Sequence, residues 1–485
     1  MTARETEYEL VLGMEVHAEL LTESKMFCSC SAAFGGAPNS HCCPVCLGLP
    51  GSLPTINRRA VEFVVRTALA LNCEISLHSI FYRKNYYYPD LPKGYQISQY
   101  GPAAIGTGGY LDIEVGGAVK RVHIRRVHLE EDTGKLFHVP GGKSHVDYNR
   151  AGVPLMEIVT ETPPDMNSAD EARDYLTRLR AILVTLCVCD GKMEEGSMRC
   201  EANMSIRPIG SAGLGVKTEL KNINSFRTVY RGIEYEFQRQ REIVESGGRV
   251  VQETRRWDEA RGATAPMRAK EVEEEYRYFP EPDLRPLDLD PEWIDEIRRT
   301  LPELPAQRKR RYIEQLHLPS YDAGVLTSSP AMSRFFDTAV DLYPEGSKVV
   351  SNWLMGDFSR LLNEDGIEIN ESPVTPSMLV EMIKLIQSGI ISSRSGKEVF
   401  EEMHRTGQPP DAIVKAKGVT QIGDESAIEA LADQILSANP DVVEKFRSGK
   451  EGVIGFLVGQ LMKASQGRAN PEMAQRALRS RLSKD

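Results

Sequence analysis

The stretch ELVLGMEVHAEL (residues 9–20) sets the strongest limit on the fold, because its alternation is that of a strand with two unlike faces. Leu10, Leu12, Met14, Val16 and Ala18 point one way, while Glu15, His17 and Glu19 line the other side. Three further segments repeat the arrangement. In PLMEIV, Glu157 lies opposite Met156 and Ile158, and in RCEANMSI the residues Arg199, Glu201, Asn203 and Ser205 alternate with apolar ones. In KTELKN, Lys217, Glu219 and Lys221 alternate with Thr218 and Leu220, and VHLEEDTGK adds His128, Glu130, Glu131 and Asp132 at a strand end. Carboxylates gathered on one sheet face repel unless a cation joins them. Mg²⁺ takes oxygen ligands of this kind, often with phosphate oxygens completing its shell. The chemistry so implied is metal-assisted phosphoryl transfer from a nucleotide, with Arg199, Lys221, Arg255 and Arg256 as partners for phosphate charge. For any single segment a wet polar face is the simpler reading, and His17 alone reads as an ordinary surface or core histidine. Recurrence in four or five segments brings the cation-holding face level with it. No Walker loop accompanies the pattern: in PGGKS (140–144) the required first glycine falls at Phe137, which leaves a polar turn.

A chain of 485 residues is too long for one core, and 41% hydrophobic with 26% charged residues rules out wholesale disorder. No apolar run approaches the roughly 18–20 residues of a membrane span. The opening MTARETEYEL has neither a signal core nor transit-peptide character, so a cytoplasmic protein is expected. Residues 1 to about 295 alternate strand-like segments with helices, the clearest helix being 162–183. LPELPAQRKRRY (301–312) reads as a boundary, and beyond it the pattern is helical. Thr375 can cap a helix that Pro376 starts and Gly389 ends, with Leu379, Met382, Ile383 and Ile386 on one face. A second boundary is expected at GQPPD (407–411). In the tail, Ile454, Leu457, Val458, Leu461 and Met462 share a helical face ended by Gly467, and Asn470-Pro471 starts another helix. The predicted class is α+β, divided into 1–295, 296–408 and a small all-α tail at 409–485.

Net charge is −10, but nine basic and three acidic residues from Lys445 onward make the end +6 and the rest −16. A basic end carrying Lys445, Lys463, Arg468, Arg476 and Arg479 suits a polyanion such as RNA; a solvated helix face accounts for the same charges.

Five of nine cysteines fall in FCSCSAAFGGAPNSHCCPVCLG (27–48). Cys43 and Cys46 form a C-x-x-C knuckle flanked by Pro44 and Gly48, and Cys28 and Cys30 complete four thiolates. Four thiolates close a tetrahedral zinc shell and leave no position for substrate, so the site is expected to be structural. Cys42 and His41 are alternative ligands, and a cluster of free buried thiols is the alternative to metal. Cys73, Cys187, Cys189 and Cys200 are expected in the core.

LGMEVHAEL, RKNYYYPDLPKGYQISQY (83–100), KMEEGSMRCEANMSIRP (192–208), TELKNINSF (218–226), QETRRWDE (252–259) and YRYFPEPDL (276–284) occur in this order. Together with GFLVGQLMKASQGRANP (455–471) they resemble the B-subunit family of aspartyl/glutamyl-tRNA amidotransferases, of the bacterial type, over essentially the whole chain. The resemblance implies a glutamine-synthetase-like antiparallel cradle, then a helical domain and a tRNA-binding tail. It implies a ligase of protein biosynthesis that uses ATP and Mg²⁺ to phosphorylate the side-chain carboxylate of Glu-tRNA(Gln) or Asp-tRNA(Asn). Ammonia released by a glutaminase partner (the A subunit) then attacks, and a small third chain (the C subunit) completes a heterotrimer. On this chain the resemblance places Glu15, His17, Glu131 and Glu157 at the Mg²⁺ site, with Glu130 and Glu201 as further catalytic members. Lys84, Tyr86, Tyr88, Lys93 and Tyr95 would border the ammonia route or the acceptor-end entrance, unless the tyrosines are core. Because some members of the family lack the cysteines, zinc would be a structural option. Two other readings are a freestanding ligase for a small acid, which the basic tail disfavours, and a zinc-dependent tRNA-binding scaffold without catalysis.

Overall fold

The computed structural model describes residues 7–267, 276–419, 425–465, 469 and 471–483. The chain divides into two compact units, 1–305 and 306–485.

In the first unit the 9–20 stretch forms β1 (Tyr8–Glu19), followed by the cysteine loop and α1 (Arg58–Ala70). Asn57 caps that helix by accepting hydrogen bonds from the Arg59 and Ala60 amides. Short strands β2 (Glu74–Ile75) and β3 (His78–Ser79) lead to β4 (Tyr82–Asn85) and β5 (Tyr95–Ser98). The long hairpin of β6 (Gly106–Val115) and β7 (Ala118–Glu131) follows, then a small hairpin, β8 (Lys135–Val139) and β9 (Lys143–Asp147). Pro140–Gly142, part of the Walker-like decoy, is its turn, with Gly141 and Gly142 at positive φ. Next come β10 (Pro154–Thr160), α2 (Ala169–Thr185), β11 (Met198–Pro208), β12 (Thr218–Lys221) and α3 (Phe226–Glu245). β13 (Glu253–Asp258), β14 (Ala263–Pro266), β15 (Phe279–Pro280), β16 (Leu287–Asp288) and α4 (Pro291–Arg299) complete the unit.

Twelve strands join in one sheet, ordered β14-β13-β12-β11-β1-β10-β7-β5-β4-β15, with β6 beside β7 and β2 beside β6. Pairing is antiparallel apart from β12 with β13. β1 lies at its centre, paired with β10 and β11. Its predicted apolar row, Leu10 to Ala18, is buried in one core cluster with Phe63 and Val64 of α1, Leu176 and Leu179 of α2 and Val229 and Ile233 of α3. The sheet thus has an oily side sealed by helices, which leaves the polar side to carry chemistry.

α2 begins at Ala169, later than the sequence pattern suggested, because Ser168 supplies the cap and the prolines at 163 and 164 fall before it. Cys73, Cys189 and Cys200 are buried as expected; Cys187 is exposed in a positive-φ turn after α2.

The described residues of the second unit are helical, from α5 (Pro305–Glu314, which begins at the last residue of the first unit) through α6 (Ser320–Thr327), α7 (Pro330–Leu342), α8 (Ser347–Trp353) and α9 (Ser359–Asp365). α10 (Pro376–Gln387) carries the predicted Thr375 cap and buries Leu379, Met382 and Ile383. α11 (Ser393–Thr406) ends at Gly407 in the left-handed conformation, and α12 (Pro410–Lys417) follows. Ile413 and Val414 of α12 belong to the same core cluster as α10, so the expected break at 407–411 falls inside that packing. A separate cluster begins at Ile428 and joins α13 (Glu425–Ala438), α15 (Ile454–Ala464) and α16 (Pro471–Leu482), while α14 (Pro440–Arg447) packs its partly buried Val442, Val443 and Phe446 against it. Leu457 and Leu461 fill its centre, as their spacing predicts, whereas Gly467 and Asn470 lie outside the described residues.

Candidate active site

Register decides which side chains meet on the polar face. Glu15 on β1 pairs across β11 with Glu201, and His17 pairs across β10 with Glu157. Glu157 in turn faces His128 on β7, and Asn203 faces Glu219 on β12. The result is two adjoining groups of ligand atoms, Glu15–Glu201–Glu219 and His17–Glu130–Glu157, each lying within 4.8 Å of one another. Carboxylates directly opposite on neighbouring strands destabilise a sheet. Their convergence here, with oxygen donors predominating, is the donor set a hard divalent cation takes. They floor a cleft of about 1350 Å³ that is also lined by Lys84, Arg199, Lys221 and Arg256.

Hydrogen bonds hold the acids in place. Asn203 donates to Glu15 Oε1 at 2.7 Å, Lys221 to Glu201 Oε1 at 2.8 Å and Thr254 to Glu219 Oε2 at 2.7 Å. His128 Nε2 lies 2.8 Å from Glu157 Oε2, and His17 Nε2 lies 3.5 Å from Glu130 Oε1. Arg199 pairs with buried Asp132 and lies 3.6 Å from Glu19. Burial and the charges of Glu157 and Glu201 push the Glu15 carboxyl above its usual range. Burial opposes charge on His17, but the hydrogen bond to Glu130 and the charges of Glu157 and Glu130 outweigh it and raise its pKa to about 9. Burial likewise opposes ionisation of Glu157, yet the His128 ring hydrogen-bonded to it, His17 and Arg126 hold it well below the normal carboxylate range. Neighbouring acids pushed in opposite directions mark a site built to handle charge.

Two expected members are not in this group. Glu131 follows Glu130 on β7, and one step along a strand reverses the face. It lies against Lys93, whose ammonium donates to Glu131 Oε2 at 2.7 Å, and accepts from the Ile97 amide at 2.9 Å. The structure thus corrects its assignment to the shared metal group. Arg255 is corrected for the same reason: it points beneath the sheet to Glu253, Thr264 and buried Glu236, while Arg256 takes the cleft side. The aromatic strip also divides. Lys84, Tyr86 and Tyr88 line the cleft, whereas Lys93 and Tyr95 line a separate cavity of about 200 Å³ beside Glu131. Tyr86 and Tyr88 lie outside the core cluster, whereas Tyr95 is partly buried and packs against it. His128, Asp132 and Glu219, which the sequence pattern placed on polar strand positions but the resemblance gave no role, belong to the site; their period-2 spacing from Glu130 and Lys221 was the signal.

The four cysteines converge as predicted: the sulfurs of Cys28, Cys30, Cys43 and Cys46 lie within 4.8 Å of one another. Cys43 and Cys46 Sγ are 3.9 Å apart, close to the roughly 3.8 Å edge of a tetrahedron with Zn–S bonds of about 2.3 Å. A hydrogen bond from Cys28, the Cys43 amide and nearby Lys25 lower the Cys46 thiol to about 4 against the cost of burial. Lys25 is 1% exposed, with its ammonium 3.9 Å from Cys46 Sγ and 3.1 Å from the Tyr148 carbonyl oxygen. The residues fit a zinc ion, and they leave Cys42 and His41 outside the group.

The knuckle's last turn touches Lys93. Gly48 has φ +67°, and a Cβ there would lie 2.4 Å from Lys93 Cγ. Gly48→Ala therefore adds a clash to left-handed strain and costs about 2–4 kcal/mol. Gly51→Ala, at φ +85° with nothing within 4 Å, carries the strain alone, about 1–2 kcal/mol. Urea denaturation of the two variants checks the difference; equal losses refute the contact.

In the tail, Lys445, Lys463, Arg476 and Arg479 are exposed, and Arg468 lies outside the described residues. No described helix is long and apolar enough to cross a membrane.

Comparison with known proteins accords with this geometry. A family model described as the GatB/GatE catalytic domain matches residues 10–295, and one described as a GatB domain matches residues 334–482. Several bacterial proteins named as the B subunit of aspartyl/glutamyl-tRNA(Asn/Gln) amidotransferase are similar from end to end. That of Moorella thermoacetica is 57% identical over 479 residues, covering 98% of this chain and 100% of the relative. Those of Thermoanaerobacter pseudethanolicus, at 55% over 477 residues, and Carboxydothermus hydrogenoformans, at 52% over 482, cover 98% and 99% of this chain and 100% and 99% of their own lengths. With the catalytic-domain match spanning more than half its length, this chain belongs to the GatB/GatE family, among the B subunits of aspartyl/glutamyl-tRNA(Asn/Gln) amidotransferase.

Proposed function

We propose that this chain carries out the ATP-dependent step of tRNA transamidation, activating the side-chain carboxylate of Glu-tRNA(Gln) and/or Asp-tRNA(Asn). The observation that carries the reading is the pair of acidic groups, Glu15–Glu201–Glu219 and His17–Glu130–Glu157, on one open sheet face. A carboxylate oxygen of the substrate attacks the γ-phosphorus, the bond to ADP breaks, and an acyl phosphate forms. Ammonia then attacks the carbonyl carbon; the C–O bond breaks, phosphate leaves, and the nitrogen loses one proton to give the amide. Mg²⁺ held by the two acidic groups would offset charge on the triphosphate during transfer. Lys221, Arg199 and Arg256 add positive charge to the cleft, and His17 would join the carboxylates around the cation through its ring nitrogen.

Free ammonia is mostly protonated at neutral pH, so the reading includes a heterotrimer with a glutaminase (the A subunit) and a small bridging chain (the C subunit). It also includes a glutamine-synthetase-like cradle in the first unit, a helical domain, a tRNA-binding tail built on the cluster that begins at Ile428, structural zinc and a cytoplasmic setting. Mixing the chain with those two partners, glutamine, ATP, Mg²⁺ and each misacylated tRNA tests it by amide formation. Product without ATP consumption, or ATP turnover stimulated by free glutamate without tRNA, counts against it. For the tail, Lys463→Ala with Arg479→Ala should weaken tRNA binding and flatten the salt slope by about 1.5–2. An unchanged slope in a binding titration removes the tail assignment.

A further inference from the structure

One wall of the cleft is aromatic, and nothing in the phosphoryl chemistry requires it. Four tyrosine rings from three separate stretches follow one another. Tyr86 meets Tyr276 edge-on at 5.7 Å, Tyr276 meets Tyr278 at 6.1 Å, and Tyr278 stacks flat on Tyr100 at 4.3 Å and 14°. All four line the cleft, and Lys84 Nζ sits 4.7 Å above the Tyr276 ring. Lys84 also feels the charges of Glu130 and Glu157, so this end of the ladder adjoins the acids. Tyr100, 37% exposed, is the most exposed of the four rings, and Tyr82 meets it edge-on at 6.0 Å.

The ladder is held in a costly conformation. Arg277, between two of its tyrosines, has φ +46°, a region that non-glycine residues avoid. Asn85 on β4 clamps this turn by donating to the Arg277 carbonyl oxygen at 2.9 Å. Behind it, Arg83 forms a two-pronged pair with Glu281 at 2.7 and 2.8 Å. Tyrosines that served only as core would be buried; these are fixed, half-exposed and turned toward a cavity.

We propose that the Tyr100–Tyr278 stack is a nucleobase platform, binding an adenine ring whose attached phosphates or ribose reach toward the acidic floor. The proposal rests on the transamidation reading, in which two reactants carry an adenine: ATP and the terminal adenosine of tRNA. Neither carboxylate nor ammonia gains from a flat π surface, whereas every base does. Replacing Tyr278 or Tyr100 with Leu removes the ring and keeps the apolar bulk, while Phe keeps the ring.

Binding to the full chain is measured for ATP against inorganic triphosphate, and for tRNA ending in CCA against tRNA trimmed by its last nucleotide. The Leu variants should lose at least about fivefold in affinity in one arm, with the base-lacking ligand of that arm unaffected and the Phe variants near normal. A loss confined to ATP assigns the platform to the cofactor; one confined to CCA-ended tRNA assigns it to the acceptor adenosine. Undisturbed binding of both, or equal loss for ligands with and without the base, overturns the platform alone. An unsubstituted chain that binds neither ATP nor tRNA overturns the transamidation reading, and the platform with it.

Discussion

Glu15→Gln should lower single-turnover amide formation by about 10²- to 10³-fold, the usual cost of removing one preorganised electrostatic contact at a reacting centre. The same change should raise the melting temperature of the metal-free protein. Glu15 is held opposite Glu201 and near Glu219, so an amide of equal size removes like-charge repulsion while it can still accept the Asn203 hydrogen bond. Activity and stability then move in opposite directions, which a residue serving only the fold would not do. A variant with full activity, or with both quantities lowered, defeats the assignment. Saturating Mg²⁺ should stabilise the natural protein more than the variant, because the cation relieves the same repulsion.

Cys46→Ala carries the second large effect. It removes one of four converging sulfurs and leaves buried Lys25 beside an empty space. Zinc content should fall from one ion per chain to near zero, and the melting temperature by roughly 10 °C, given several kcal/mol of lost metal-linked stability. Limited proteolysis should open the 24–57 loop first. Cys42→Ala, outside the sulfur group, is the control and should retain its zinc. Loss of metal from both variants, or from neither, contradicts the four-sulfur site.

Local patterns were legible wherever one element decided the outcome. Thr375-Pro376 announced a helix start, and the even-numbered residues of β1 announced a buried face. Errors came where a single residue reverses direction. Glu130 and Glu131 are neighbours of the same chemistry, and only the register of β7 against β10 sends one to the cleft and the other to Lys93. Arg255 and Arg256 divide in the same way on β13. Cys187 has the composition of a core residue but falls in the turn that ends α2, where the chain needs a left-handed step. The tyrosine ladder was out of reach of sequence reading, because Tyr276 and Tyr278 meet Tyr86 and Tyr100 only through the pairing of β15 with β4, nearly 200 residues apart in the chain.

The central position of β1 has a bearing on how the protein is made. This strand leaves the ribosome before either of its neighbours, which end at Thr160 and Pro208. At elongation rates of about 5–20 residues per second, it waits roughly 7–28 s before the earlier neighbour emerges. Throughout that interval an oily, hydrogen-bond-hungry ribbon stands without companions, a template for wrong pairings between growing chains. Its acidic row then acts as a safeguard: two newborn copies that zipped together would set glutamate against glutamate, so the charges later used for chemistry first keep siblings apart.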